Sequence, residues 1–303
     1  MKRSIFLVAI FMVTSLARSQ DFMPLWPEGK MPNSKGLSLD PIEENERITQ
    51  VAIPGLHSFL TAKEENSGAA VLILPGGGYH HLTYNVGGYQ IAKWFNTLGI
   101  SAFVLDYRLP TSPDLEVRQN GPIQDAQRAM KLIRANAEKY NIDPNKIGIF
   151  ATSAGGHLAS TIATHQEDLS KIDNDSLNDF SFKSDFMVLI SPVISFGEYA
   201  HKGSRDNFLG EDPSEDLIKK YSNEFQVTSE TSPTFLVHAQ NDESVSPMNS
   251  ILFYEAMLKN KVDGSLHIFP KGKHAIGIVN DSELTNEWKL LAEKWLKERQ
   301  IIH

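Results

Sequence analysis

The sequence predicts an α/β protein, with a mostly parallel central sheet, helices on both faces and a small insertion over one edge. Three observations carry that reading. Six short β-branched or aromatic runs lack alternation of polar and apolar residues, segments of helical period lie between them, and one run leads through a small-x-Ser-x-Gly turn into a helix. The 303 residues are 41% hydrophobic and 22% charged, ordinary values for a folded domain, which sets aside disordered and coiled-coil readings. With 29 Lys+Arg against 37 Asp+Glu the net charge is −8, and the basic residues form no stripe, so nucleic acid is not expected as a partner. The cysteine count of 0 removes disulfides, thiolate metal sites and a thiol nucleophile together.

Residues 1–19 read as a signal peptide. Lys2 and Arg3 give a positive start, Ile5 to Leu16 is an apolar run shorter than the ~20 residues that span a bilayer, and Ala17-Arg18-Ser19 offers small residues for cleavage after Ser19. The expectation is export to the periplasm or beyond, without stable membrane insertion. Residues 20–46, carrying Pro24, Pro27, Pro32 and Pro41, read as an extended arm, and residues 47–303 as one domain.

Within that domain Ile48–Ile53 and His57–Thr61 read as two strands joined by a turn at Pro54-Gly55. The six buried-strand runs are Ala70–Leu74, Ala102–Leu105, Ile147–Phe150, Phe186–Ile190, Thr234–Val237 and Leu266–Phe269. Ala126, Ala129, Ile133 and Ala137 share one face of a helix expected over Ile123–Tyr140 and stopped by Asn141-Ile142-Asp143-Pro144. Met248, Ile251, Leu252, Ala256 and Leu258 mark a later helix, and Leu284, Trp288, Leu291 and Trp295 the last. Residues 191–233 are polar and only weakly helical, around Glu215–Tyr221; an insertion of this length between two strands suits a cap over a site.

The chemistry begins where the Ile147 strand meets Ala151-Thr152-Ser153-Ala154-Gly155. A sharp strand-to-helix turn of this kind lifts a serine hydroxyl to the carboxyl edge of the sheet, which makes Ser153 the candidate nucleophile. The alternative is a serine that merely caps a helix. Gly76-Gly77-Gly78 after the Ala70 strand tips the balance, because consecutive glycines let backbone amides turn inward with no Cβ in the way. Gly77 and Gly78, with the amide of Ala154, are the expected oxyanion donors. A phosphate cradle is set aside, since neither G-x-x-x-x-G-K-[ST] nor a dinucleotide-type glycine motif occurs.

An acid and a base are expected after the serine, in that chain order. Asp242 and His274 both follow strands, and their roles are to fix the imidazole tautomer and to take the proton of Ser153. Glu243 competes for the acid. His238 and His267, in or at the end of strands, read as structural. Tyr79, His80 and His157, beside the glycine loop and the nucleophile, are candidate substrate contacts, and His201–Arg205 in the insertion are placed to meet a sugar. Asp125 and Arg128, one helical turn apart, are expected to pair. Asp173, Asp175 and Asp179 resemble the start of a calcium loop but lack its glycine and its closing glutamate, so no metal and no cofactor is expected.

Together these residues resemble the α/β-hydrolase superfamily, and within it exported acetyl-xylan-esterase-like and feruloyl-esterase-like polysaccharide esterases. The resemblance runs from about Pro24 to the C-terminus and rests on Leu25-Trp26-Pro27-Glu28-Gly29, Leu74–Tyr79, Asp106-Tyr107-Arg108-Leu109, Gly121-Pro122 with Asp125–Ala129, Ser153–Leu158 and His201–Ser204. It implies an α/β-hydrolase fold and a serine esterase releasing a small acyl group from plant cell-wall glycan, with Ser153, Asp242 and His274 as the triad. The expected partner is therefore an acylated oligosaccharide or polysaccharide. Ala151, where glycine is common in the elbow, and Ala275-Ile276-Gly277 after the histidine, where an aromatic residue is common, are departures. A peptidase of the same fold and a non-catalytic glycan-binding protein are the competing readings.

Overall fold

In the computed structural model, residues 21–278 and 285–303 are described; the expected signal peptide and Leu284 lie outside them. The chain begins with β1 (Asp21–Pro24), β2 (Ile42–Glu44), β3 (Arg47–Gln50), β4 (Gly55–Phe59) and β5 (Ala70–Leu74). There follow α1 (Gln90–Thr97), β6 (Ser101–Asp106), α2 (Asn120–Ala135), β7 (Ile147–Thr152), α3 (Ala154–Thr164) and β8 (Met187–Ile190). The insertion holds α4 (Lys202–Leu209) and α5 (Glu215–Lys220), and the chain closes with β9 (Thr234–Ala239), α6 (Met248–Lys259), β10 (Gly264–Phe269) and α7 (Thr285–Glu298).

Eight strands form one sheet in the order β1-β4-β6-β5-β7-β8-β9-β10. From β6 to β10 all pairings are parallel, and β4 and β1 add an antiparallel margin. All six expected runs are strands of this sheet, and the period of two along each explains why they looked uniformly apolar. In β5, Ala70, Leu72 and Leu74 enter one core, while Val71 and Ile73 enter the other. The first core is covered by α2, α3 and α6 through residues such as Met130, Leu158 and Phe253. The second is covered by α1 and α7, where Phe95, Trp288 and Leu296 are fully buried.

Three local expectations need correction. The strands on either side of Pro54-Gly55 do not pair with each other: β3 pairs with β2, while β4 lies between β1 and β6. Gly55 itself is a strand residue, matched with both Pro24 and Asp106, so the dipeptide is a crossing point between sheets and not a hairpin turn. The arm is therefore partly structured, since its first residues supply β1. The helix expected to run to Tyr140 ends at Ala135 and unwinds through turns.

The third correction concerns Asp125 and Arg128, which do not pair. Asp125 is fully buried and accepts hydrogen bonds from the Trp26 indole at 2.8 Å, the Arg108 amide at 2.8 Å and the Arg108 guanidinium at 2.8 Å. Arg128 turns instead to the Leu25 carbonyl and to Asp175 at 2.7 Å, with its guanidinium 4.4 Å from the Trp26 ring centre. A buried carboxylate is tolerable only with this many donors. These contacts fasten the arm to α2 and to the loop after β6.

Candidate active site

Ser153 stands between β7 and α3 with φ of 53° and ψ of −125°. This is left-handed backbone for a non-glycine residue, a conformation that costs about 1–3 kcal/mol and persists only where neighbours hold it. Its amide donates to the Ile190 carbonyl at 3.3 Å, and its carbonyl accepts from Gly156 at 2.9 Å and Val193 at 3.0 Å. Gly155 is required by close approach, since a Cβ there would lie 2.2 Å from the Leu74 carbonyl oxygen. Ala151, the departure from the usual elbow, sits in regular strand paired with Leu74 and Leu189, and its methyl group joins the core.

The glycine loop packs directly on this turn: a Cβ on Gly76 would lie 3.0 Å from the Ser153 Cβ. Gly77 at φ 133° and Gly78 at φ 64° occupy conformations open to glycine. Their peptide planes are fixed from behind. Thr83 donates to the Gly76 carbonyl at 3.0 Å, His80 to the Gly77 carbonyl at 3.0 Å, and the Asn207 side chain to the Gly78 carbonyl at 2.9 Å. Because a trans amide points its N–H opposite its C=O, the amides of Gly77 and Gly78 are turned away from the 80–83 segment.

Asp242 and His274 meet across loops that follow β9 and β10. The His274 Nδ1 lies 2.8 Å from Asp242 Oδ2. The other carboxylate oxygen accepts from the amides of Ser244 and Val245, each at 2.9 Å. Burial pushes the Asp242 carboxyl up, but the hydrogen bonds from His238 and His274 and the charge of His274 outweigh it and hold the group well below the usual carboxylate range. Asp242 is therefore ionised at neutral pH and keeps the proton of His274 on Nδ1, leaving Nε2 as the basic nitrogen. The His274 backbone is held on both sides, by Lys273 N–H to Asn241 at 3.0 Å and by Ala275 N–H to Ser191 Oγ at 3.2 Å.

Ser153, His274 and the three glycines line one pocket of about 460 Å³ at the carboxyl edge of the sheet. Its wall is completed by Arg47 from β3, by His80, His81 and Thr83, and by His201 and Asn207 from the insertion. His80 and His81, which directly follow the glycine loop in the sequence, both line the pocket, whereas Arg47 and Asn207 carried no signal in the sequence and topology alone brings them here. Glu243 is exposed and has no bond to His274, whereas its neighbour Asp242 does. His238 is fully buried; its Nδ1 meets Ser250 Oγ at 2.8 Å and its Nε2 lies 2.9 Å from the Val245 carbonyl and 3.3 Å from Asp242 Oδ2. His267 is half-buried in β10, bonded to Ser265.

Two expected substrate contacts are displaced. Tyr79 and His157 lie in the core and not on the pocket wall, both fully buried, with the Tyr79 hydroxyl 2.9 Å from His157 Nδ1. The His157 Nε2 donates to the Tyr221 carbonyl at 2.8 Å, so both ring nitrogens are engaged within the protein. Tyr79 has φ of 60°, which turns its ring away from the glycines that precede it and against Phe208. His80 does line the pocket.

The chain is 36% identical over 219 residues to an acetylxylan esterase of Xylanibacter ruminicola, covering 71% of this chain and 42% of that protein. It is 33% identical over 246 residues to endo-1,4-beta-xylanase B of Butyrivibrio fibrisolvens, covering 81% of this chain and 38% of that one. The chain thus spans about two fifths of the length of these relatives. The crystal structure of an acetyl ester-xyloside bifunctional hydrolase from Caldicellulosiruptor lactoaceticus superposes with a TM-score of 0.80 at 36% identity, covering 93% of this chain and 97% of that one. The BD-FAE family model matches residues 56–257, which contain the elbow, the glycine loop and Asp242. With more than half its length matched in this way, the chain belongs to the BD-FAE family of α/β hydrolases.

Proposed function

We propose that the protein is a serine carboxylesterase that removes small acyl groups, acetyl foremost, from xylan-type plant cell-wall polysaccharide. The observation that carries this reading is the 2.8 Å contact between Asp242 and His274, with His274 lining the same pocket as a serine held at positive φ. The xylan-directed relatives support the choice of substrate.

In this reading the Ser153 Oγ attacks the ester carbonyl carbon while its proton passes to His274 Nε2. Asp242 stabilises the resulting imidazolium without taking the proton itself. The carbonyl oxygen becomes an oxyanion, received by the amides of Gly77, Gly78 and Ala154, the last at the positive end of α3. His274 then returns the proton to the departing sugar hydroxyl, leaving an acyl-serine. Water, deprotonated by His274, attacks the acyl carbon and releases the carboxylic acid. The charged start and apolar run of residues 1–19 support export, which brings such an enzyme to its substrate. Among the described residues no helix is long and apolar enough to cross a membrane.

The test is release of acetate from acetylated xylan by the purified protein, beside feruloyl and peptide substrates. Acetate release that disappears in Ser153→Ala, with folding intact, is the expected result. Activity on peptides alone, or on none of the three, would overturn the reading.

A further inference from the structure

His201 is the residue of the insertion that faces the pocket while serving another purpose at its other ring nitrogen. It caps the N-terminus of α4: its Nδ1 accepts from the Ser204 amide at 3.1 Å and lies 2.8 Å from the Ser204 hydroxyl. A backbone N–H can only donate, so Nδ1 carries no proton and the neutral ring holds its hydrogen on Nε2. The imidazole is half-buried on the pocket wall, with Cε1 3.8 Å from the position a Gly78 Cβ would take. Nε2 has no hydrogen-bond partner among the described residues. Burial, and after it the charge of His274, lower the affinity of the ring for a second proton against the opposing charge of Asp242, so the donor is an uncharged one.

We propose that His201 donates a hydrogen bond from Nε2 to an oxygen of the alcohol half of the ester, and so selects esters of sugars over esters of plain alcohols. This rests on the esterase reading given above. The position favours the alcohol over the acyl oxygen for two reasons. The oxyanion side is served by amides of the glycine loop, and His201 shares the pocket wall with His274, the group that protonates the departing alcohol. A sugar offers ring and hydroxyl oxygens as acceptors, and a neutral donor fixed by a helix cap meets them without burying a charge. A site built to hydrogen-bond a substrate oxygen discriminates against an analogue that lacks it, because the donor is then left unmatched.

The two duties of the ring can be separated by substitution. Asn at position 201 retains an oxygen for the Ser204 amide, as an N-cap does, but does not reach the Nε2 position. Gln presents an amide N–H near the Nε2 position and gives up the cap. The experiment measures kcat and KM for p-nitrophenyl acetate and for an acetylated xylo-oligosaccharide with wild type, His201→Asn and His201→Gln, with the Tm of each. The expected result is that the ratio of kcat/KM, oligosaccharide over aryl ester, falls about tenfold in His201→Asn, mainly through KM, and recovers in part in His201→Gln. An unchanged ratio in His201→Asn, or a parallel loss on both substrates that follows Tm, overturns the proposal and leaves His201 a cap alone. A wild type inactive on both esters overturns the esterase reading itself, which is a different result.

Discussion

The Asn207 side chain reaches out of the insertion and donates to the Gly78 carbonyl at 2.9 Å, joining α4 to the glycine loop. That bond fixes the peptide following Gly78 and steadies the turn on which the two proposed oxyanion amides sit. Asn207→Ala should lower kcat for p-nitrophenyl acetate by about tenfold, less than the ~10²–10³ seen when an oxyanion donor is removed outright. KM should move little. Steady-state kinetics check this, and a rise in KM at constant kcat would assign Asn207 to substrate binding instead.

Asp242 and Glu243 are adjacent, yet only the first touches the imidazole, which is a sharp prediction. Asp242→Asn should reduce kcat by up to ~10⁴, because the amide can hold the wrong tautomer of His274. Glu243→Gln, at an exposed position, should change kcat by less than about twofold. Parallel assays on one aryl ester decide it, and the opposite ranking would transfer the acid's role to Glu243.

Gly155 offers a test of the elbow that does not depend on catalysis. A methyl group there would come 2.2 Å from the Leu74 carbonyl oxygen and 2.8 Å from that of Pro75, both backbone atoms that cannot swing aside. Gly155→Ala should therefore destabilise the protein by about 1–3 kcal/mol through overpacking. Urea unfolding measures it; wild-type stability in the variant would mean that α3 and β5 are farther apart than described.

His157 ties stability to pH. Burial, which outweighs its bond to the Tyr221 carbonyl, pulls the imidazole from 6.5 down to about 3. Between those values the unfolded chain binds the proton and the folded chain does not. The group's contribution is thus complete above about pH 6.5 and declines as pH falls toward 3, by about 1.4 kcal/mol per unit. Unfolding free energies of wild type and His157→Asn, followed from about pH 7 to pH 5, should diverge in slope by about one proton in the lower part of that range. Identical slopes would mean that the ring takes up its proton in the fold as it does in the open chain.

Much of the sheet was legible because fully buried strands write themselves as unbroken apolar runs, and chain order alone brought Ser153, Asp242 and His274 to one edge. What escaped was decided by distant partners. Pro54-Gly55 carries a turn signal locally, but β4 finds its neighbours in β1 and β6. Asp125 and Arg128 have the spacing of a pair, but each finds a partner outside the helix, in Arg108 and Asp175. Tyr79 and His157 are next to the site in sequence, and one backbone angle at Tyr79 sends its ring into the core. The helix α4 was hidden because its cap is a histidine, an uncommon choice where Ser, Thr, Asp or Asn is usual.

The attachment of Trp26 and Leu25 to α2 also fixes an order of assembly. Trp26 and Asp125 are 99 positions apart, and Leu25 and Arg128 are 103 apart. β1 can pair with β4 some thirty positions on, but the Trp26 and Leu25 contacts with α2 must wait until about a hundred later residues have formed β6 and α2. Closing so large a loop is slow relative to local helix formation, so the docking of the arm on α2 follows the formation of α2 itself.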